Sequence, residues 1–346
     1  MISIVDYITE IEKKVSIDEG IIAIEQFLIS VYFESPISNK ELARKLCLPI
    51  PLIVAIKKEF IKVGIMKQGS GITMTPKGND YVENYLGYQG LNKVLFNELN
   101  KGVCNIEETF LEEILIIEKI FKGRPKPDFS IDQTHCTYMT SLKRSLLALK
   151  NNTLINKKIL CVGDDDLVSV SLGLLLKKLY GDGYRSKSEI HVIDIDERYL
   201  DYINRISHKY DLPITCHKMD LRKSMDKELI NKFDCFYTDP PYTMNGLHLF
   251  LSRGISALKK IKGLPIFFSF AHKSYDYSFE MMKKFNEMGL SVYRIMPKFN
   301  AYEGASIIGN IGQLIILKTT SYTSLNIEED TYYKDCLYTK EVKRSK

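Results

Sequence analysis

The 346-residue chain is 45% hydrophobic and 26% charged with a formal net charge of +5, the composition of an ordinary soluble protein long enough for two or three domains. So mild a charge does not by itself call for nucleic acid. Seven cysteines without a Cys-x-x-Cys pair argue against a disulfide framework or a structural zinc site, and reduced thiols imply the cytoplasm. No apolar run reaches the roughly 18 residues needed to cross a bilayer, and Asp6 and Glu10 interrupt the amino terminus where a signal peptide would be basic and then apolar.

Residues 1 to about 35 show helical periodicity through Ile8, Ile11 and Val15, then Ile21, Ile24, Phe27, Leu28 and Val31. From Pro36 the pattern sharpens. Ser38 with Glu41 three positions on is a capping box ahead of Leu42, Ala43 and Leu46. Leu48-Pro49-Ile50-Pro51 supplies a turn, Leu52 to Val63 a second helix, and the run from Gly64 to Thr75 a hairpin around Gly69 and Gly71. Helix, turn, helix, hairpin is a winged helix, so residues 1–90 are expected to be a winged-helix domain with leading helices. Residues 36 to 90 carry eight basic against four acidic side chains. That is compatible with phosphate contacts without demanding them, and the module is commonly reused for packing or dimerisation. A structural role is favoured, nucleic acid is not the expected partner, and a homodimer is compatible.

Residues 91–130 are expected to form a helical linker, amphipathic through Ile106, Phe110, Ile114, Ile117 and Ile120 and broken at Arg124-Pro125-Lys126-Pro127. Asp132, Gln133 and Thr137 then precede a helix bearing Met139, Leu142, Leu146 and Leu149. Such a polar cluster, just upstream of a nucleotide-binding unit, can form the lid or floor of its pocket. Residues 131–320 are expected to be one Rossmann-like domain, in which the chain from 157 to 319 alternates strand and helix: strands at 158–162, 190–195, 213–217, 233–238, 265–270, 290–296 and 312–318, with helices between the first six. The last two runs are joined without a helix, across Lys298 to Ile311, and should pair antiparallel. The fold class predicted is α/β, a seven-stranded Rossmann-like sheet of the class I methyltransferase type behind an amino-terminal winged helix. Residues 321–346 read as a flexible tail, in which Glu328, Glu329, Asp330, Tyr332 and Tyr333 either fold over a cationic substrate or stay disordered.

The first strand, Ile159 to Val162, runs into Gly163-Asp164-Asp165-Asp166. Ligands of doubly wound sheets bind at such carboxyl ends, but ordinary dinucleotide and S-adenosylmethionine sites place glycines here to approach an anion. Three aspartates would repel that anion. At ~4 Å and an effective dielectric near 20, each carboxylate costs on the order of 4 kcal/mol against another carboxylate and gains as much against an ammonium. The loop asks for a cationic ligand, with an acidic helix cap or a magnesium site as the alternatives. Asp194, at the end of the second strand about 30 positions after Gly163, stands where a carboxylate accepts the hydroxyls of an adenosine ribose. Asp196 reads as the cap of the next helix, and Asp220, at the end of the third, as an acceptor for the adenine amino group or a surface turn.

Asp239-Pro240-Pro241-Tyr242 ends the fourth strand. Two prolines fix the backbone, so Asp239 is presented rigidly and Tyr242 lies across the pocket mouth. Asp/Asn-Pro-Pro-Tyr is the pattern by which amino-group methyltransferases hold a nucleophilic nitrogen, and an aspartate suits a basic amine. Both Asp239 and Asp166 qualify as the base, lying at the ends of adjacent central strands.

Together, Gly-Asp-Asp-Asp-Leu at 163–167, Asp-Pro-Pro-Tyr at 239–242 and Asp-Gln-x-x-x-Thr at 132–137 resemble one family over nearly the whole chain: the branched-chain polyamine synthases, N4-bis(aminopropyl)spermidine synthases of thermophilic archaea and bacteria. Phe299 to Ala305 is similar to that family's substrate-side segment. The resemblance implies transfer of aminopropyl groups from decarboxylated S-adenosylmethionine to the central nitrogen of spermidine, releasing methylthioadenosine, with the sulfonium compound a co-substrate and no tightly bound cofactor or metal. It implies catalytic roles for Asp239 and Asp166, co-substrate contacts from Gly163, Asp164, Asp165, Asp194, Asp220 and Gln133, and amine contacts from Asp239, Tyr242, Tyr302 and Glu303. The rival is an S-adenosylmethionine-dependent amino-group DNA methyltransferase, supported by Asp-Pro-Pro-Tyr and opposed by the triple aspartate. A non-enzymatic alternative is a winged-helix regulator that senses polyamines.

Overall fold

The computed structural model describes residues 6–181, 186–323 and 337–339. Two helices, α1 (Tyr7–Val15) and α2 (Ile21–Glu34), lead into α3 (Asn39–Leu46), α4 (Ile50–Lys62) and the hairpin β1 (Met66–Gln68) and β2 (Ile72–Met74). This is the order expected of a winged helix. Its capping box is formed as the sequence predicts: the Glu41 N–H donates to Ser38 Oγ and the Ser38 N–H to Glu41 Oε2. A short helix, α5 (Pro76–Asp80), continues as a π-helical turn, and α6 (Lys93–Lys101), α7 (Ile106–Thr109) and α8 (Leu111–Lys122) follow.

The segment expected to be a linker is pinned. Arg124 is buried and donates to the Cys136 carbonyl and to Glu303, while the Tyr199 hydroxyl donates to the Pro125 carbonyl. The prolines break the helix, as read, but the chain they redirect packs against the sheet domain.

From α9 (Tyr138–Lys150) the chain builds an α/β sheet: β3 (Lys158–Val162), α10 (Val168–Tyr180), β4 (Glu189–Asp194), α11 (Glu197–Tyr210), β5 (Ile214–Lys218), β6 (Cys235–Thr238), α12 (Met244–Ala257), β7 (Pro265–Ala271), α13 (Tyr275–Glu287), β8 (Leu290–Ala301) and β9 (Ile311–Thr319). Seven strands lie in the order β5-β4-β3-β6-β7-β9-β8, with β9 antiparallel to both neighbours. The antiparallel pairing follows from the missing crossover helix between β8 and β9. One expectation fails. Residues 219–234 join β5 to β6 without a helix, although Leu221, Met225 and Leu229 are buried at helical spacing. Asp220 accepts the Arg222 N–H in a tight side-chain turn, which competes with helix initiation.

Side chains alternate across the sheet. Ile159, Cys161, Cys235 and Tyr237 join the core that also holds Phe27 and Phe60 of the amino-terminal helices, and Leu160, Val162 and Phe236 join the core under α12 and α13. The amino-terminal module therefore shares a core with one face of the sheet.

Candidate active site

The chain leaves β3 toward β4 and β5 on one side and returns through β6 and β7 on the other. The crevice lies at the carboxyl ends where the strand order reverses. Val162 is in register with both Ile193 and Thr238, so Asp194, Gly163 and Asp239 form one row across three neighbouring strand ends. Gly163 takes φ +74, a left-handed turn that favours glycine, and the strand exits into a cleft of about 740 Å³ that counts the solvent-open space at its mouth.

The three consecutive aspartates have three different surroundings. Asp164 turns away from the cleft, and its carboxylate accepts the N–H groups of Val168 (2.7 Å) and Ser169 (3.1 Å) at the start of α10. It occupies the helix-cap role raised as an alternative, and the expected co-substrate contact from its side chain is corrected accordingly. Asp165 lines the cleft and, among the described residues, accepts only the Thr134 N–H, at 3.2 Å. Burial, then the charges of Asp166, Asp194 and Asp239, push its carboxyl well above the usual range.

Asp166 is closed off. Arg144 Nη1 meets it at 2.6 Å and the Cys136 N–H at 2.5 Å. Burial alone would raise its pKa, but Arg144 and the Cys136 N–H outweigh that and hold it below the ordinary carboxylate value. Asp166 is absent from the cleft wall, and an ionised carboxylate saturated by a guanidinium is poorly placed to accept a substrate proton. Its expected role as a base is corrected for that reason.

Asp239 does line the cleft. Its Oδ2 accepts Arg144 Nη2 at 2.9 Å and the Tyr302 hydroxyl at 2.6 Å, while its buried Oδ1 has no hydrogen-bond partner among the described residues. Burial pushes the Asp239 carboxyl up to about 6, against the pull of Arg144. Asp239 thus combines a carboxyl poised near neutrality with an unpaired acceptor, the condition for proton abstraction.

Asp194 accepts backbone N–H groups from Asp164 (3.1 Å) and Asp196 (2.9 Å) and lines the cleft beside Asp220. Those two bonds aim the carboxylate and leave lone pairs for a ribose. Asp220 is gripped by the Arg222 guanidinium at 2.8 Å, which lowers its pKa. Gln133 lies on the wall and donates to Asp196 at 3.1 Å, and Asp196 caps α11 as expected. Tyr242 stands at the cleft with its ring edge-on to Phe270. Tyr302 is buried behind Asp239 rather than on the wall. Glu303, expected to touch the amine, is 57% exposed in its side chain, pairs with Arg124 at 3.0 Å and is absent from the wall. From the tail, Leu337 and Tyr338 reach the cleft. Thr243 Oγ1 donates to the Leu337 carbonyl, and the Thr339 N–H to Asp132 Oδ2. The acidic and tyrosine residues named above at 328–333 lie outside the described residues.

Arg144 is the functional residue that sequence reasoning missed. Its Nε donates to the buried Asn300 side chain, so the guanidinium is satisfied on all sides. A signal was present: Ser141, Arg144 and Ala148 share one helical face and are all buried. A lone arginine in a stripe of small residues is a cation carried inward to meet acids.

Residues 113–346 match the family model described as the branched-chain polyamine synthase A C-terminal domain. An uncharacterized protein of Methanocaldococcus jannaschii is 36% identical over 88% of this chain and 75% of its own. The N(4)-bis(aminopropyl)spermidine synthase of Thermococcus kodakarensis is 30% identical over 73% of this chain and 70% of its own. The branched-chain polyamine synthase of Thermus thermophilus, crystallised with N4-aminopropylspermidine and 5′-methylthioadenosine, is similar in fold, with a TM-score of 0.56 and 20% identity over 97% of each chain.

Proposed function

The chain belongs to the branched-chain polyamine synthase family, and from that premise we propose that it moves aminopropyl groups from decarboxylated S-adenosylmethionine to the N4 nitrogen of spermidine, giving branched polyamines and methylthioadenosine. The observation that carries this reading is the Asp239 Oδ1, without a hydrogen-bond partner among the described residues, on a cleft that Asp239 shares with Asp165 and Asp194.

The chemistry follows from charge. Decarboxylation removes the co-substrate's carboxylate, which would add to the charges that already oppose ionisation of Asp165, and leaves a sulfonium and an ammonium, both of which favour its ionised form. Asp194 takes the ribose, with Asp220 on the adenine side. The spermidine N4 is mostly protonated in water; with lysine's reference value as a proxy, freeing its lone pair at pH 7 costs roughly 4.6 kcal/mol. Asp239 accepts that proton at Oδ1. The nitrogen lone pair then attacks the propyl carbon attached to sulfur, the new C–N bond forms as the C–S bond breaks, and the bonding pair leaves on a now neutral sulfur. Tyr302 and Arg144 hold Asp239 Oδ2, so the carboxylate keeps one orientation throughout.

The test is turnover by the purified chain of spermidine with decarboxylated S-adenosylmethionine, products read by mass spectrometry. Branched tetra- and penta-amines are expected, and Asp239→Asn should lower kcat by roughly 10² to 10⁴ while methylthioadenosine affinity holds. Methylation of amines or DNA from intact S-adenosylmethionine, with no aminopropyl product, would overturn the reading.

A further inference from the structure

Lys273 lies two residues beyond β7 and is half-buried, with no carboxylate within ion-pair distance among the described residues. Instead its Nζ donates to the Tyr242 carbonyl at 3.0 Å and stands 5.1, 5.7 and 5.8 Å from the ring centroids of Tyr277, Phe270 and Tyr242. The rings brace one another: Phe270 meets Tyr242 edge-on at 5.0 Å and stacks with Tyr277 at 6.1 Å. Three aromatic walls around one ammonium make a box that recognises cations through ring faces. It sits at the cleft's rim, because Tyr242 lines the cleft and so does Asp132, whose charge reaches Lys273.

Among the described residues the box holds no carboxylate, so nothing in it prefers lysine over another ammonium. It suits any ammonium of similar size, and the acceptor proposed above is a chain of ammonium groups spaced by methylenes. We propose that Tyr242, Phe270 and Tyr277 form an ammonium subsite of the acceptor cleft, filled by the chain's own Lys273, and that Lys273 thereby limits the length of polyamine the cleft accepts. The inference rests on the aminopropyltransferase reading and deepens it. A tethered ammonium competes at an effective concentration in the ~mM range, and its charge also repels a substrate arm that approaches the box. An acceptor short enough to stop before the rim escapes both effects, whereas one nitrogen more meets them.

Calorimetric titration of the methylthioadenosine-loaded full chain with spermidine and with the linear tetra-amine spermine tests this. Lys273→Met removes the charge and keeps the stem; Lys273→Gln removes the charge and keeps a donor for the Tyr242 carbonyl; Lys273→Arg keeps both charge and donor. The expected result is that the tetra-amine to tri-amine affinity ratio rises about tenfold in the Met and Gln variants and stays at the wild-type value in Arg. An unchanged ratio in Met and Gln, with both amines still bound, overturns the assignment and leaves the function standing. Equal weakening of both amines in Met, restored in Gln, overturns it too, by making Lys273 a brace for Tyr242. Failure of the wild-type chain to bind either amine would instead sink the functional reading and this inference with it.

Discussion

A guanidinium that meets Asp166 at 2.6 Å and Asp239 at 2.9 Å divides the acidic cluster into carboxylates it holds and carboxylates left for a ligand. Arg144 is 2% exposed, so the pairs are little screened by solvent. Replacing it by Met keeps much of the bulk but strands buried charges, at a cost of about 3 to 5 kcal/mol. Urea unfolding of Arg144→Met should show that loss at neutral pH, and a change below 1 kcal/mol would mean the carboxylates find other partners. Asp165 carries the opposite sign of effect. Its carboxyl lies well above the usual range in the folded chain, so it binds a proton more tightly folded than unfolded. Such a group supports folding below its unfolded value and withdraws that support as pH rises toward its folded value. The stability of the ligand-free wild type relative to Asp165→Asn should therefore fall as pH rises above the ordinary aspartate range, by about 1.4 kcal/mol per pH unit, until Asp165 ionises. Paired urea titrations would read it, and a difference that grows with pH contradicts it. Sequence could not separate three adjacent aspartates, because positive φ at Gly163 and Leu167 sends each side chain a different way. Asp239 and Asp194 were legible, since a strand end presents its next residue to the cleft.

At the scale of elements, the β3 to α10 turn shows how a helix can be capped from outside its cap position. Leu167 occupies that position and has no side-chain acceptor; Asp164, three residues earlier, supplies both oxygens. Asp164→Ala should cost about 1 to 2 kcal/mol of stability and weaken methylthioadenosine binding far less than Asp194→Ala. Unfolding curves and calorimetric titration of both variants check this, and an Asp164→Ala chain with wild-type stability would remove the cap from the account. The five parallel strands were legible to within two residues at either end, the buried ones being short apolar runs, whereas the exposed β8 runs on to Ala301, beyond its expected end at 296. The 219–234 connection was misread because burial at helical spacing does not require helical backbone when a side-chain turn closes the chain locally. Arg144 was passed over for a related reason: Met139, Leu142, Leu146 and Leu149 gave the helix a complete apolar pattern, and the polar stripe beside it was not weighed as a second inward face.

Across the whole molecule, charges in the amino-terminal region are partly spent on local partners: Lys45 pairs with Glu34, Lys62 with Glu59, and Lys77 donates to the Val63 carbonyl. Lys40, Arg44, Lys58 and Lys67 stay exposed, so these pairs reduce the region's positive charge without removing it. The same region is tied to the sheet domain by specific bonds. Lys157 pairs with Glu25 of α2 at 2.7 Å where the pair is largely buried, Tyr180 donates to the Gly87 carbonyl, and the Asn92 N–H donates to the Leu179 carbonyl. Its apolar side chains enter the core beneath β3.

That Glu25–Lys157 pair sits one residue before β3, and the acidic turn sits one residue after it. A strand of five residues is all that separates the helical module from the site. Opening the module would strip one end of the strand whose other end carries Gly163. Amide hydrogens of α2 and β3 should therefore exchange with solvent as a single cooperative unit, with similar protection and a common response to low denaturant, as mass-resolved exchange can measure. Exchange in α2 faster by orders of magnitude would make the module a detachable appendage. Shared protection would make it part of the anvil on which the acidic turn is held.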